Sequence, residues 1–136
     1  MQNGHYLLGY TDLNTGGSEP TYGLFWSETT VDSQSVAVIP FNPIGWRKIH
    51  VKDVCCEFTM STISNVLGIS ETTGNSGSVI NYALDKVDVG TTSRDYTFDI
   101  SLYAKTVYLF VFTKCKTNSR EGRSKTMVLG DIYLSR

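Results

Sequence analysis

An all-β fold, a single-domain antiparallel β-sandwich of jelly-roll-like type with about eight to ten strands, is what this 136-residue sequence predicts. Three observations carry that expectation. Short runs alternate apolar and polar residues with period two, as half-buried strands do. Val, Ile and Thr together number 36 against 3 Ala, a balance that disfavours helix and suits a pleated, packed surface. Twelve Gly and 3 Pro are spread as turn punctuation without low complexity, and neither a repeat nor a linker divides residues 1–136.

In chain order, His5 to Tyr10 reads as a first strand, stopped by the turn-forming segment Asp12 to Pro20. Tyr22 to Trp26 and Ser35 to Phe41 follow as strands, the second closed by Pro40 and Pro43. Trp46 to Ser61 is long. Ile49 and Val51 share one parity, whereas Val54, Cys56, Phe58 and Met60 share the other. That slip around Lys52-Asp53 predicts a β-bulge in a strand that bends between two sheets. Ile63 to Ile69 fits either a short strand or one helical turn, and Glu71 to Ser78 is a polar loop. Val79 to Leu84 and Lys86 to Val89 read as strands around a turn, followed by the turn Gly90 to Ser93.

The last third is the clearest. Tyr96, Phe98 and Ile100 alternate with Thr97, Asp99 and Ser101. Val107 to Phe112 is apolar on both parities, so that strand is predicted to be covered on both faces. A third strand spans Met127 to Leu134. Val107, Leu109, Phe110, Val111 and Ile132 are therefore the predicted central core.

A formal net charge of −1 and a pI near 6.1 predict no general attraction to nucleic acid or anionic membrane. No apolar run approaches the ~18 residues that span a bilayer, so no membrane insertion is expected. Met-Gln-Asn-Gly-His does not read as a signal peptide, which predicts synthesis without export, or a fragment whose leader was removed. Cys55, Cys56 and Cys115 are an odd set with two neighbours pointing to opposite faces, so three free thiols are expected. A Cys55–Cys115 bridge is the alternative, should those strands pair.

Catalysis is not expected. His5 and His50 lie in predicted strands without a Ser-Asp or Cys-Asp context, and no nucleophile elbow, phosphate loop or zinc spacing is present. Two charge clusters invite a binding reading. Asp85, Asp88, Asp95 and Asp99 surround the Gly90 to Ser93 turn and read first as a solvated face that protects a sheet edge, with oxygen ligands to Ca²⁺ as the alternative. Otherwise no cofactor is expected. Lys114, Lys116, Arg120, Arg123 and Lys125, with Glu121 alone among them, fall in a predicted loop from Thr113 to Thr126. They suit an anionic glycan, an anionic surface polymer or an acidic neighbour, or a solvated hairpin tip. Tyr22, Trp26 and Trp46 follow long loops, where an aromatic ring serves either a sugar or the core. The candidate ligand-binding set is thus Tyr22, Trp26, Trp46, Lys116, Arg120 and Arg123.

The stretch from Tyr96 to Phe112, a polar loop, and then Leu129-Gly-Asp-Ile-Tyr-Leu134 resembles the ending of jelly-roll modules of the galactose-binding-like and carbohydrate-binding kind. Such modules close with an Asp and hydroxyl turn, a buried strand, a variable loop and an Asp-Ile-x-Leu strand. Here Lys105 stands where they usually carry Gly before the buried strand. The resemblance implies a non-catalytic module binding a saccharide through loops at one end of the sandwich. Sandwiches of similar composition also build phage tails and baseplates. That implies a structural or assembly role, with loops contacting other virion subunits or further copies of the chain.

Overall fold

The structure is a computed structural model, and it describes residues 4–6, 11–12, 24–28, 34–56, 62–72, 76–115 and 123–136. Those residues form β1 (Gly4–Tyr6), β2 (Thr11–Asp12), β3 (Leu24–Glu28), β4 (Gln34–Phe41), β5 (Lys48–Cys56), β6 (Thr62–Ser70), α1 (Ser76–Asn81), β7 (Ala83–Asp88), β8 (Arg94–Asp99), β9 (Val107–Cys115), β10 (Arg123–Val128) and β11 (Ile132–Ser135). One sheet runs β1-β11-β5-β10-β3 with β8 also on β5; the other runs β2-β4-β9-β6-β7. Every pairing is antiparallel. The chain changes sheet at nearly every connection, staying in one only at β6–α1–β7 and β10–β11. The predicted β-sandwich is the architecture observed.

Its core follows from the alternation. Ala37, Ile39 and Phe41 of β4, Leu67 and Ile69 of β6, and Val107, Leu109 and Val111 of β9 meet Ile49, Val51, Val54, Phe98, Ile132 and Leu134 of the facing sheet. Val107, Leu109, Phe110, Val111 and Ile132 are all buried, as predicted. Phe110 nevertheless belongs elsewhere. With Phe112, Val36, Val38, Val66 and Val79 it forms a second cluster on the outer face of the five-stranded sheet. This explains why β9 is apolar on both parities: α1 lays Val79 and Ile80 over its outer side.

Several elements correct the sequence reading. Ile63 to Ile69 resolves as strand β6. The apolar start of the predicted strand Val79–Leu84 is helix instead, and β7 runs unbroken through the turn expected at Asp85. Val79-Ile80 is too short a run to declare its period, and Phe110 and Phe112 supply the tertiary partner that decides it. Met127–Leu134 divides into β10 and β11 around Leu129 to Asp131. Thr113–Thr126 is not all loop: β9 continues to Cys115, and Arg123 begins β10.

The bulge falls where parity predicted it. Pairing of β5 with β8 slips between Val51 and Val54, and Asp53 takes φ 53°. β5 does not pass between sheets, however, since its partners β8, β10 and β11 all belong to the six-stranded sheet. That placement also separates β5 from β9, so the strands of Cys55 and Cys115 do not pair. Cys55 and Cys56 are free thiols. Among the described residues no helix is long and apolar enough to cross a membrane.

Candidate functional site

Among the described residues, a concavity lies between the end of β7, in one sheet, and the start of β8, in the other. Val87 and Asp88, then Gly90, Thr91 and Thr92 of the connection, then Arg94 and Tyr96 line an open cleft of about 590 Å³. The sequence builds it from strand parity. Val87 and Tyr96 pack against the inter-sheet core while remaining partly accessible, which gives the cleft an apolar floor. Asp88, Thr91, Thr92 and Arg94 are exposed and give it a polar rim.

The connection is anchored from below. The Val89 N–H donates to the Asn65 carbonyl at 2.8 Å, and the Cys56 N–H donates to the Gly90 carbonyl at 2.8 Å. The Cys56 thiol donates to the Val89 carbonyl at 2.9 Å, and burial pushes that thiol's pKa up. With these bonds from β5 and β6, the rim is displayed from a fixed backbone.

Asp95, between Arg94 and Tyr96, points to the opposite face of β8. Its carboxylate accepts from the Lys52 ammonium at 2.8 Å and from the Asp53 N–H at 3.0 Å. Lys52 first, then the Asp53 amide, hold that carboxyl below its ordinary pKa. Asp99 caps its own turn, accepting from the Ser101 hydroxyl at 2.7 Å and the Ser101 N–H at 2.9 Å. Those bonds, hydroxyl before amide, lower its pKa in turn. Asp85 and Asp88 lie on β7, in the other sheet. The four aspartates proposed around Ca²⁺ are therefore divided between two sheets. Among the described residues, no group of three His, Cys, Asp or Glu side chains stands close enough to hold a metal ion. β7 ends its sheet, so Asp85 and Asp88 sit on an edge strand.

Of the predicted ligand-binding residues, Trp46 is the one whose side chain is described. It ends a tight turn in which its N–H donates to the Pro43 carbonyl at 3.0 Å and Gly45 takes φ 87°, a conformation that glycine adopts without a Cβ clash. Arg136 covers one face of the indole, its guanidinium carbon 4.4 Å from the ring centroid, and donates from Nε to the Gly45 carbonyl at 3.2 Å. The half-buried ring also packs on the core. Tyr22, Lys116 and Arg120 lie outside the described residues. Trp26 and Arg123 occupy paired positions, Trp26 opposite Lys125 and Arg123 opposite Glu28, but their side chains lie outside the description. Arg94, Tyr96, Thr91 and Thr92 were not singled out by sequence. The available signal was an Arg and a Tyr of like parity directly after a Gly-Thr-Thr-Ser turn.

His50 sits in mid-sheet, stacked on Tyr133 with centroids 4.5 Å apart and planes 14° apart. Its Nε2 is 2.7 Å from the Ser135 hydroxyl and its Nδ1 is 3.2 Å from the Thr97 hydroxyl. A hydroxyl, not a carboxylate, thus meets Nδ1, unlike the base of a catalytic triad. Partial burial, then Lys48 and Lys52, lower its pKa.

No protein-family model and no curated protein matches the sequence. Some solved structures are similar to the chain at low identity. The carbohydrate-binding module TmCBM61, solved in complex with β-1,4-galactotriose, is 16% identical over 98% of this chain and 88% of its own, with TM-score 0.46. A family 35 carbohydrate-binding module from an environmental isolate is 11% identical over 97% of this chain and 85% of its own, with TM-score 0.40. The enzymatically active domain of tailspike protein 4 from bacteriophage CBA120 is 12% identical over 97% of this chain but only 19% of its own, with TM-score 0.45. Likenesses at this level concern architecture alone.

Proposed function

We propose that this protein is a non-catalytic binding module that takes a saccharide into the cleft between β7 and β8. The observation that carries the reading is the composition of that cleft, whose lining brings together Tyr96, two threonines, one aspartate and one arginine. A pyranose offers an apolar C–H face and a rim of hydroxyls, and this lining is complementary to both. The volume falls within the range of ~300–1,000 Å³ typical of small-molecule sites. Asp88 is the one carboxylate in the lining, whereas glycoside hydrolysis ordinarily needs two.

Titration of isotope-labelled protein with a panel of oligosaccharides tests the reading. Amide shifts should concentrate at residues 87–96 and vanish in Asp88→Asn/Thr91→Ala. Shifts confined to other loops would move the site, and none with any glycan would remove the function.

A second reading, as an assembly component, draws on a different observation. Ile44 and Leu102 are 61% and 93% exposed at the tips of two turns. Those turns are joined because the Ile100 N–H donates to the Arg47 carbonyl at 2.8 Å. Native mass spectrometry separates the readings: a ring or trimer lost in Ile44→Asp/Leu102→Asp favours assembly.

A further inference from the structure

We infer that the saccharide recognised by this cleft carries a carboxylate, so that the ligand is a uronic acid unit of an acidic glycan. The inference rests on the saccharide reading above and narrows it to one chemical class.

The observation is the state of Arg94. Its guanidinium is exposed at the cleft, and the acid beside it in sequence does not neutralise it. Strand alternation turns Asp95 to the opposite face, where the Lys52 ammonium at 2.8 Å and the Asp53 N–H at 3.0 Å take its carboxylate. Asp88 lines the same cleft, yet among the described residues the ion pairs are Lys52–Asp95 and Lys105–Glu71, and Asp88–Arg94 is not one of them. The cleft therefore presents a cation and an anion that do not satisfy each other.

Each of these groups selects a different part of the ligand. A guanidinium forms paired N–H···O bonds with a carboxylate, charge-assisted and roughly twice as strong as bonds between neutral groups. With a neutral sugar it gains only hydroxyl contacts, which water replaces at little loss. Asp88, accepting only, takes hydroxyl protons and repels a carboxylate placed beside it. A uronic acid ring carries its carboxylate on C5 and free hydroxyls across the ring, so it satisfies both at once in a single orientation. Thr91 and Thr92 donate or accept as the remaining hydroxyls require, and Tyr96 offers the apolar surface.

A glycan array carrying uronate-containing and neutral oligosaccharides side by side tests this, read with wild type, Arg94→Gln and Asp88→Asn. Uronate-containing glycans should dominate for the wild type, and their binding should weaken as salt rises. Arg94→Gln should lower their affinity by at least about tenfold, the size of one lost charge-assisted contact, while leaving the melting temperature unchanged. Asp88→Asn should weaken binding but keep the preference for the acid. Wild-type signal confined to neutral glycans, or uronate binding unchanged in Arg94→Gln, overturns the inference and leaves saccharide binding standing. The absence of signal on every glycan overturns both.

Discussion

The ring of Phe110 on β9 lies across Gly68 on β6, in the space that a side chain at position 68 would need. A Cβ built there would come 2.8 Å from two ring carbons and meet the Asp85 carbonyl of β7 as well. Gly68 is thus where the outer-face cluster and the edge strand both close on the backbone of β6.

Gly68→Ala should therefore destabilise the fold by about 1–3 kcal/mol, because neither a buried ring nor a paired strand can yield cheaply. Phe110→Ala removes the ring from the same cluster and should cost about 3–5 kcal/mol. Urea unfolding of each variant checks both values. A Gly68→Ala midpoint equal to wild type would mean that the ring does not occupy this space.

The bulge in β5 gives a second prediction. Asp53 adopts φ 53°, a region costly to residues with a Cβ and most costly to β-branched ones. Its N–H, not its side chain, makes the bond to Asp95. Asp53→Gly should thus leave stability within about 0.5 kcal/mol of wild type or raise it, while Asp53→Val should cost about 1–2 kcal/mol. Equal unfolding midpoints for Gly and Val would show that the backbone at position 53 is not left-handed.

Where the sequence was legible, one local rule decided each outcome. Parity alone placed the bulge at Lys52-Asp53, and double-sided apolarity marked β9 as covered on both faces. Sequence could not say what covers the outer face. Val79 and Ile80 are helical because Phe110 and Phe112 lie beneath them, and that contact joins residues some thirty positions apart. The cleft was hidden for a similar reason. Asp88 and Arg94 line one cleft only because the chain changes sheet between β7 and β8, and no spacing rule encodes that. Among the acids, parity sets Asp95 on the face opposite Arg94 and Tyr96, but it does not show that Lys52 takes its carboxylate while Asp88 stays at the cleft.

The pKa of His50 sets a pH dependence. Partial burial, with Lys48 and Lys52 nearby, holds its folded-state pKa below the ordinary 6.5. Between the two values the unfolded chain binds more protons than the folded one, so stability rises with pH. The contribution is complete above pH 6.5 and is lost as pH falls from 6.5 through the folded value. Melting temperatures between pH 7.5 and 5 should fall for wild type and fall less steeply for His50→Gln. Identical slopes would show that His50 is not the group responsible.

The two neighbouring thiols of β5 should differ in reactivity for a reason set by strand parity. Cys56 faces the core, is 1% exposed, and donates to the Val89 carbonyl at 2.9 Å. Burial raises its pKa, which lowers the thiolate fraction available to any electrophile. Cys55 points the other way and is half-buried. Native protein treated briefly with iodoacetamide near pH 8 should be alkylated at Cys55 well before Cys56, as read by peptide mass spectrometry. In denaturant without reductant the preference should disappear, and all three cysteines should react if Cys115 is also a free thiol. Equal labelling of Cys55 and Cys56 in the native state would place Cys56 outside the core. It would also remove the thiol-to-carbonyl bond that helps fix Val89 beneath the cleft.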